Sequence, residues 1–514
     1  MRRILPALAL VVLALPAPAL ASLGDVKKAR TGLAASVKAD RLSPAEAGRY
    51  GTILNRAHVR SRRLAPLRAQ ALEAVIAQIA AHSERYTRPR ALTLFSMLQV
   101  NADYLAANPV PPAGRDVEGA DGIVYRAFSG QGLQFHPLAN AARLNGHVSA
   151  GRTAEAEQLV ASLLERRVAR KGGDVWEYWF PFGSVRPPWA SGMAQSVLAQ
   201  ALARAGSITA ARRAARTVPG LTMGLQAGPW VRLYEGLGLV VLNAQLQSAI
   251  SLAEVGNLAG DVEAADLAMR LRAAATAMLP SFDTGYWSHY SQDSESTLEY
   301  HRYVVTLLRR LARETGEPHW TAAADRFEEY ERQAPLAEAG PAGPVLFPVP
   351  QDGHRDTARI RFWVSKISDV TLFVGGEWRG RMRARKGWNT FNWNVPKHLP
   401  PGSHAARISA RGLAGNTAQI EVPEVVVARD TEPPRISAAD GRTHLHWRAK
   451  DEGSDRLRLR LRLKGGGTTR TVDLGRRALN GSWRKNLPDG RWWGVLEAAD
   501  ASGNVTRVAL GRIA

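Results

Sequence analysis

Three tyrosines, Tyr234, Tyr290 and Tyr300, stand in the segments WVRLYEGLGLVVLNAQLQ, MLPSFDTGYWSHY and TLEYHRY, in loops leading into stretches with helical spacing. Phenols gathered at one end of a helical barrel suit the movement of a proton at a carbon next to a carboxylate. Loss of that proton leaves charge that survives only as an ene-diolate, so a site needs a base, an acid, and a cation or donors on the carboxylate. A phenol with its ordinary pKa of about 10 is a weak base, and a neighbouring cation lowers that value by favouring the phenolate. Arg232, His289, His301 and Arg302 adjoin the tyrosines and suit that task, while Glu235 adds a carboxylate beside Tyr234. The competing reading makes the three tyrosines amphipathic wall residues of the helical fold.

A second cluster lies in WEYWFPFGSVRPPW, residues 176–189. Aromatic faces such as those of Trp179 and Trp189 pack on the C–H faces of sugars, and Arg186 can meet a carboxylate with a forked pair of donors. Alternatively the run is an aromatic core plug. Asp283-Thr-Gly285 reads as a turn, with Asp283 bonding its own backbone and Gly285 supplying a positive φ. Asn243 reads as a helix-start residue rather than a ligand contact.

The elements that must position these residues are legible from periodicity. Apolar residues recur at helical spacing from about 111 to 338: Leu138, Ala141, Ala142 and Leu144; Leu242, Leu246, Ala249 and Ile250; Leu267, Leu271, Ala274 and Met278; Val304, Leu307, Leu308 and Leu311. Helices of that length joined by Gly/Pro-bearing loops imply antiparallel pairs, and we expect an α/α toroid, an incomplete (α/α)6-type barrel. The helical segment 22–110, ending in the Pro/Gly-rich stretch Asn108–Gly114, completes it. Beyond Ala339-Gly-Pro-Ala-Gly-Pro344 the period changes to two. Ile360, Phe362 and Val364 alternate with polar or aromatic neighbours, and Leu457, Leu459, Leu461 and Leu463 alternate with Arg456, Arg458, Arg460 and Arg462. Two stretches close alike in a Gly-Asn turn, at Asn416 and Asn504, in the manner of the last hairpin of immunoglobulin-like and fibronectin-type-III-like modules. Two small β-sandwich domains, 345–429 and 430–514, are therefore expected. The arginine stripe is either a solvated strand face or a polyanion-binding surface.

Taken in order, several motifs resemble the C-terminal catalytic domain of the D-glucuronyl C5-epimerase family. They are Phe135-His136-Pro137, the run from Trp189 to Gln195, Val241-Leu-Asn243, Met278-Leu-Pro-Ser-Phe-Asp-Thr-Gly285 and Glu299-Tyr-His301. The resemblance spans about 125–335 and implies inversion of C5 in glucuronate residues of a polysaccharide. On that resemblance Tyr300 is base or acid on one face of the sugar, Tyr234 or Glu235 serves the other, and Tyr290 donates to the developing charge. The order of faces stays open. Arg232, His289, His301, Arg302, Trp179, Arg186 and Trp189 are the candidate substrate-binding residues. The chain departs from the family at one point: a carboxylate precedes the first tyrosine there, whereas here Leu233 precedes Tyr234 and Glu235 follows it. Either Glu235 replaces that acid from a shifted position or the chain does not epimerise.

Composition narrows the setting. Residues 1–21 read as a signal peptide, with Arg2-Arg3, an apolar stretch from Ile4 to Leu15 and small residues at Ala19-Leu-Ala21. No later apolar run is long enough to span a bilayer, so no membrane contact is expected after cleavage. With no cysteine among 514 residues, disulfides and thiolate metal sites are excluded. A formal charge of +22 favours polyanions. For a secreted or extracytoplasmic, cell-wall-associated protein the partners are an acidic polysaccharide substrate or an anionic cell-wall polymer, not nucleic acid. The sequence has no H-E-x-x-H, Walker loop, G-x-S-x-G elbow or Cys/His metal spacing, so neither a cofactor nor a metal is indicated. Two further functions compete: a uronate polysaccharide lyase, sharing the first step at C5, and a non-catalytic glycan- or cell-wall-binding protein.

Overall fold

Helices begin in this chain where a side chain takes up the free amides of the first turn. Ser43 and Glu46 form a reciprocal capping box ahead of Pro44–Ser61. Ser191, Asp261 and Thr297 each accept from the amide three residues on. His136 does the same through its ring, accepting from Ala139 N at 3.0 Å. The protein is described here from a computed structural model covering residues 23–170, 172–487 and 490–513. The expected signal peptide, 1–21, lies outside the described residues.

The chain divides between Tyr330 and Glu331 into two compact units, the first largely helical and the second built of small β-sheets. In the first, the helices Pro137–Ser149, Gly192–Arg204, Leu242–Ala259 and Leu298–Thr315 stand side by side as an inner row. The helices Thr153–Glu165, Ile208–Ala215 and Val262–Met278 each pack on the inner helix that precedes them. Burial follows that layering. Every residue of Gly192–Arg204 except Arg204 is buried, whereas Thr153–Glu165 buries only Ala156, Leu159 and Leu163. Four further helices, Leu23–Lys38, Pro44–Ser61, Pro66–Ala81 and Arg88–Ala107, share the same core. Among the described residues no helix is long and apolar enough to cross a membrane.

Short hairpins and extended segments lie immediately ahead of the inner helices: Val124–Phe128 with Gly132–Phe135, the stretch 176–191, Thr222–Leu225 with Gly228–Val231, and His289–Ser291 with Ser294–Glu295. Buried amides fasten them down. Asn140 offers its side-chain amide like a peptide, accepting from Val124 N and donating to Val124 O, both at 2.8 Å. Gln245 accepts from Val231 N at 2.8 Å and donates to Pro229 O at 3.0 Å. Leaving such backbone groups unpaired inside the protein would cost about 1–3 kcal/mol each. Consequently the loops ahead of the inner helices are rigid mounts for the side chains they carry.

The second unit repeats one arrangement. A three-stranded sheet (Ala337–Ala339, Thr357–Val364, Gly387–Asn394) and a four-stranded sheet (Glu377–Ala384, Ser368–Val374, Gly402–Gly412, Thr417–Val427) share one core that contains Phe362, Leu372 and Ile408. A second pair has the same numbers of strands: Arg435–Asp440, His444–Lys450 and Asn480–Arg484, then Thr468–Ala478, Arg456–Gly465, Trp492–Ala499 and Val505–Ile513. The alternating strand behaves as its spacing predicts, with Leu457, Leu459, Leu461 and Leu463 all buried. Its cations are largely neutralised: Arg458 meets Asp473 at 2.7 Å and Arg462 meets Glu497 at 3.0 Å. Both expected Gly-Asn turns are present, with Gly415 and Gly503 at positive φ.

Candidate active site

The three tyrosines come together. Tyr234 and Tyr300 both lie close enough to Tyr290 to act on its titration, and the rings of Tyr290 and Tyr300 are 4.6 Å apart. Thr297 caps the helix on which Tyr300 sits, fixing that residue in the first turn, at 7% exposure. Tyr234 and Tyr290 are half-buried and reach the surface. Tyr234 stacks on Phe182 at 4.3 Å and meets the edge of Trp189 at 5.5 Å. Trp189 in turn stacks on Tyr178 at 4.1 Å and donates its Nε1–H to Phe180 O at 2.7 Å.

Electrostatics distinguish the phenols. Burial raises all three, pushing Tyr290 up to about 12 and the other two further above the ordinary range. For Tyr290 the two neighbouring phenols work against burial, because their O–H groups favour its phenolate. For Tyr234 and Tyr300 the proximity of Tyr290 favours the protonated form. Tyr290 is thus the phenol of this row that loses its proton most easily.

The expected cation shell is not where sequence adjacency put it. His301 is fully buried, its ring stacked on Trp287 at 3.7 Å. It donates from Nε2 to Phe327 O at 2.8 Å and accepts at Nδ1 from Ser288 Oγ at 2.7 Å, a structural role in the core. Arg232 donates to Leu237 O at 3.0 Å and Thr222 O at 3.3 Å, tying its own loop together. Arg302 is exposed on its helix, and His289 is half-buried with Nδ1 enclosed and unpartnered. The cation whose charge reaches Tyr300 is Arg126, held by Asp116 through bonds of 2.7 and 2.8 Å. No signal near the tyrosines in the sequence pointed to it.

Glu235 also differs from expectation. One oxygen meets Arg170 at 2.7 Å and the other accepts from Ala190 N at 2.8 Å. Arg170 and Arg90 together hold the buried Glu177, so Glu235 ends a chain of ion pairs rather than joining the phenols. Trp179 is part of the main core, its ring set edge-on to His82 at 5.1 Å, and not of the aromatic cluster. Arg186 is exposed in the turn between Val185 and Trp189. Asp283 fixes its turn as anticipated, accepting from Gly285 N at 2.8 Å, and it also holds Arg326 and Tyr330. Asn243 lies in the first turn of Leu242–Ala259 with Oδ1 buried and unpartnered.

One residue was overlooked. His136, quoted above only as part of a helix-opening motif, lines a narrow cavity of about 20 Å³ together with Phe128, Tyr178, Trp189 and Tyr234. Its ring lies over Phe128 at 6.0 Å and against Tyr178 at 5.2 Å. Burial, then the charge of Arg126, holds it well below the ordinary histidine range and therefore neutral. A wider groove of about 1160 Å³, lined by residues that include Arg49, Arg88 and Arg166, is remote in sequence from the tyrosines and includes none of them. Far along the chain, Asp430, Asp451 and Asp500 bring carboxylate oxygens within 4.8 Å of one another, the sole metal-compatible group of three or more among the described residues.

No curated protein matches the chain. Its fold has a likeness to several solved structures. A sugar epimerase from a ruminal bacterium is 12% identical over 48% of this chain and 73% of that one, with a TM-score of 0.34. A GH76 α-mannanase of Bacteroides thetaiotaomicron is 11% identical over 38% of this chain and 59% of its own length, with a TM-score of 0.30. Fibronectin(III)-like modules of Clostridium thermocellum are 13% identical over 35% of this chain and 93% of theirs, with a TM-score of 0.17. Residues 173–329 match the model of one family, so that the Phe135-His136-Pro137 motif falls outside the match while all three phenols fall within it. That family is the D-glucuronyl C5-epimerase C-terminus, to which the chain is similar over those residues.

Proposed function

We propose that the protein is a uronate-polysaccharide C5-epimerase, an exported enzyme whose helical unit is an incomplete α/α toroid and whose tail is a pair of β-sandwich modules. The observation that carries the reading is the gathering of Tyr234, Tyr290 and Tyr300 into one row, set ahead of the inner helices and inside the segment matched by the epimerase family. Tyr290, as phenolate, takes the C5 proton, and the electron pair passes to the neighbouring carboxylate as an ene-diolate. Tyr234 returns a proton to C5 on the opposite face, which inverts the centre. Once the ring has left, Tyr290 returns its proton to the neighbouring Tyr234, and the row is reset. Tyr300, deeper than its partners, positions Tyr290 and shares its charge. Phe182 offers a half-buried face beside Tyr234 for the C–H side of the sugar. The net charge of +22 supports an acidic polysaccharide or an anionic wall polymer as partner.

A non-catalytic glycan-binding reading has one observation in its favour, the commitment of both Glu235 oxygens to Arg170 and Ala190. Incubation in D₂O with a panel of uronate polymers tests all readings together. Deuterium at C5 with no other change is the expected result. A product absorbing in the near ultraviolet assigns a lyase, and binding without exchange across the panel assigns a lectin-like protein.

A further inference from the structure

The His136 ring is 4% exposed and has one nitrogen committed: Nδ1 accepts from Ala139 N at 3.0 Å, closing the first turn of Pro137–Ser149. A nitrogen that accepts cannot carry the proton, so Nε2 bears it and the imidazole is a donor on that side. Among the described residues the ring's one hydrogen bond is at Nδ1, which leaves Nε2 open, and the ring borders the narrow cavity that Tyr178 and Tyr234 also line. A ring N–H without a protein acceptor at the edge of a cavity is available to an acceptor that a ligand brings.

The surroundings specify the acceptor. The cavity, about 20 Å³, has room for one water-sized group and not for a sugar ring, so a ligand sends in a single oxygen. Tyr178 and Tyr234, which line it, are held protonated by burial, and the charge of Arg126 reaches His136 and Tyr178. A pocket of protonated phenols, a neutral N–H and a positive field suits an anionic oxygen better than a hydroxyl, which would bring a donor of its own.

We propose that His136 is a specificity-determining residue whose Nε2–H donates to a carboxylate oxygen of the uronate, selecting the acid over the neutral hexose. The assignment rests on the epimerase reading for the identity of the ligand, but its test does not require turnover. Nitrogen-15 NMR of the full chain reads the tautomer directly. The expected state is Nε2–H, with an Nε2 shift on adding a tetrasaccharide of alternating glucuronate and N-acetylglucosamine, and none with its carboxyl-reduced counterpart.

His136→Asn keeps a side-chain oxygen for the helix cap while removing the Nε2 donor. Its KM for the uronate polymer should rise at least tenfold, with kcat changed less. An Nδ1–H tautomer, equal shifts with both sugars, no shift with either, or an unchanged KM in His136→Asn each overturns the assignment. A shift without C5 exchange retains His136 as a carboxylate donor and removes the epimerase reading alone.

Discussion

Arg170 and Glu235, 65 residues apart, meet at 2.7 Å, and through that pair the loop bearing Tyr234 is fastened to the hairpin around Glu177. The second Glu235 oxygen holds the Ala190 amide, one residue before the cap of an inner helix. The carboxylate that follows Tyr234 in sequence therefore ties down its mount.

Replacing Glu235 with Gln separates the two roles. A partly exposed ion pair contributes about 0–1 kcal/mol and the bond to Ala190 about 1 kcal/mol, so unfolding of the helical unit by denaturant should register a loss of about 1–2 kcal/mol. C5 exchange should fall by less than about tenfold. A loss of about 10²-fold or more, with stability unchanged, would restore Glu235 to the chemistry.

Tyr290→Phe removes the central hydroxyl of the row and keeps the ring. Exchange should drop by about 10²–10⁴-fold, the range for a lost acid or base. Tyr234→Phe should follow closely, and Tyr300→Phe should cost less, because Tyr300 acts through Tyr290. If Tyr300→Phe proves the most damaging while its fold is intact by circular dichroism, the order of the row is reversed.

The phenols were legible because each lies in a motif with recognisable neighbours. Their supposed helpers were not, and the reason is geometric. On a helix, consecutive side chains diverge by about 100°, so His301 faces the core although Tyr300 faces the site. In the extended run, successive side chains alternate: Tyr178, Phe180 and Phe182 belong to the aromatic cluster, while Glu177 and Trp179 face away from it. Choosing Trp179 missed that parity. Arg126 and His136 escaped notice because their relation to the tyrosines is made by packing between loops far apart in sequence. In the tail, period-two alternation was enough to place the leucine strand, since one buried face dictates its register.

The three-aspartate group gives a pH signature within the second unit. Burial, then the charge of Asp430, raises Asp451 to about 6. The folded state thus binds more protons than the unfolded one between about pH 4 and 6, and stability falls as pH rises through that window. Asp451→Asn should flatten the dependence and stabilise the unit near pH 7 by about 1 kcal/mol, after allowance for solvent screening. Thermal melts at pH 5 and pH 7 decide it: a parent protein no less stable at the higher pH contradicts the assignment.

Alkaline conditions should separate activity from stability. With Tyr290 raised to about 12, its phenolate fraction grows about tenfold per pH unit from neutrality upward, so kcat/KM should climb with that slope and without a plateau to about pH 10. The fold then sets the ceiling. Tyr86, Tyr125, Tyr178, Tyr234, Tyr290 and Tyr300 all titrate higher in the folded state than the ordinary phenol. Their contribution to stability is complete below about pH 10 and is lost as pH rises through the folded values, because the unfolded chain releases those protons first. Phenolate absorbance and helical circular dichroism, followed together, should change in one cooperative step above about pH 10. Phenolate appearing near pH 8 in a folded protein would mean that a cation does lower one of these phenols, and the order of proton carriers would have to be drawn again around it.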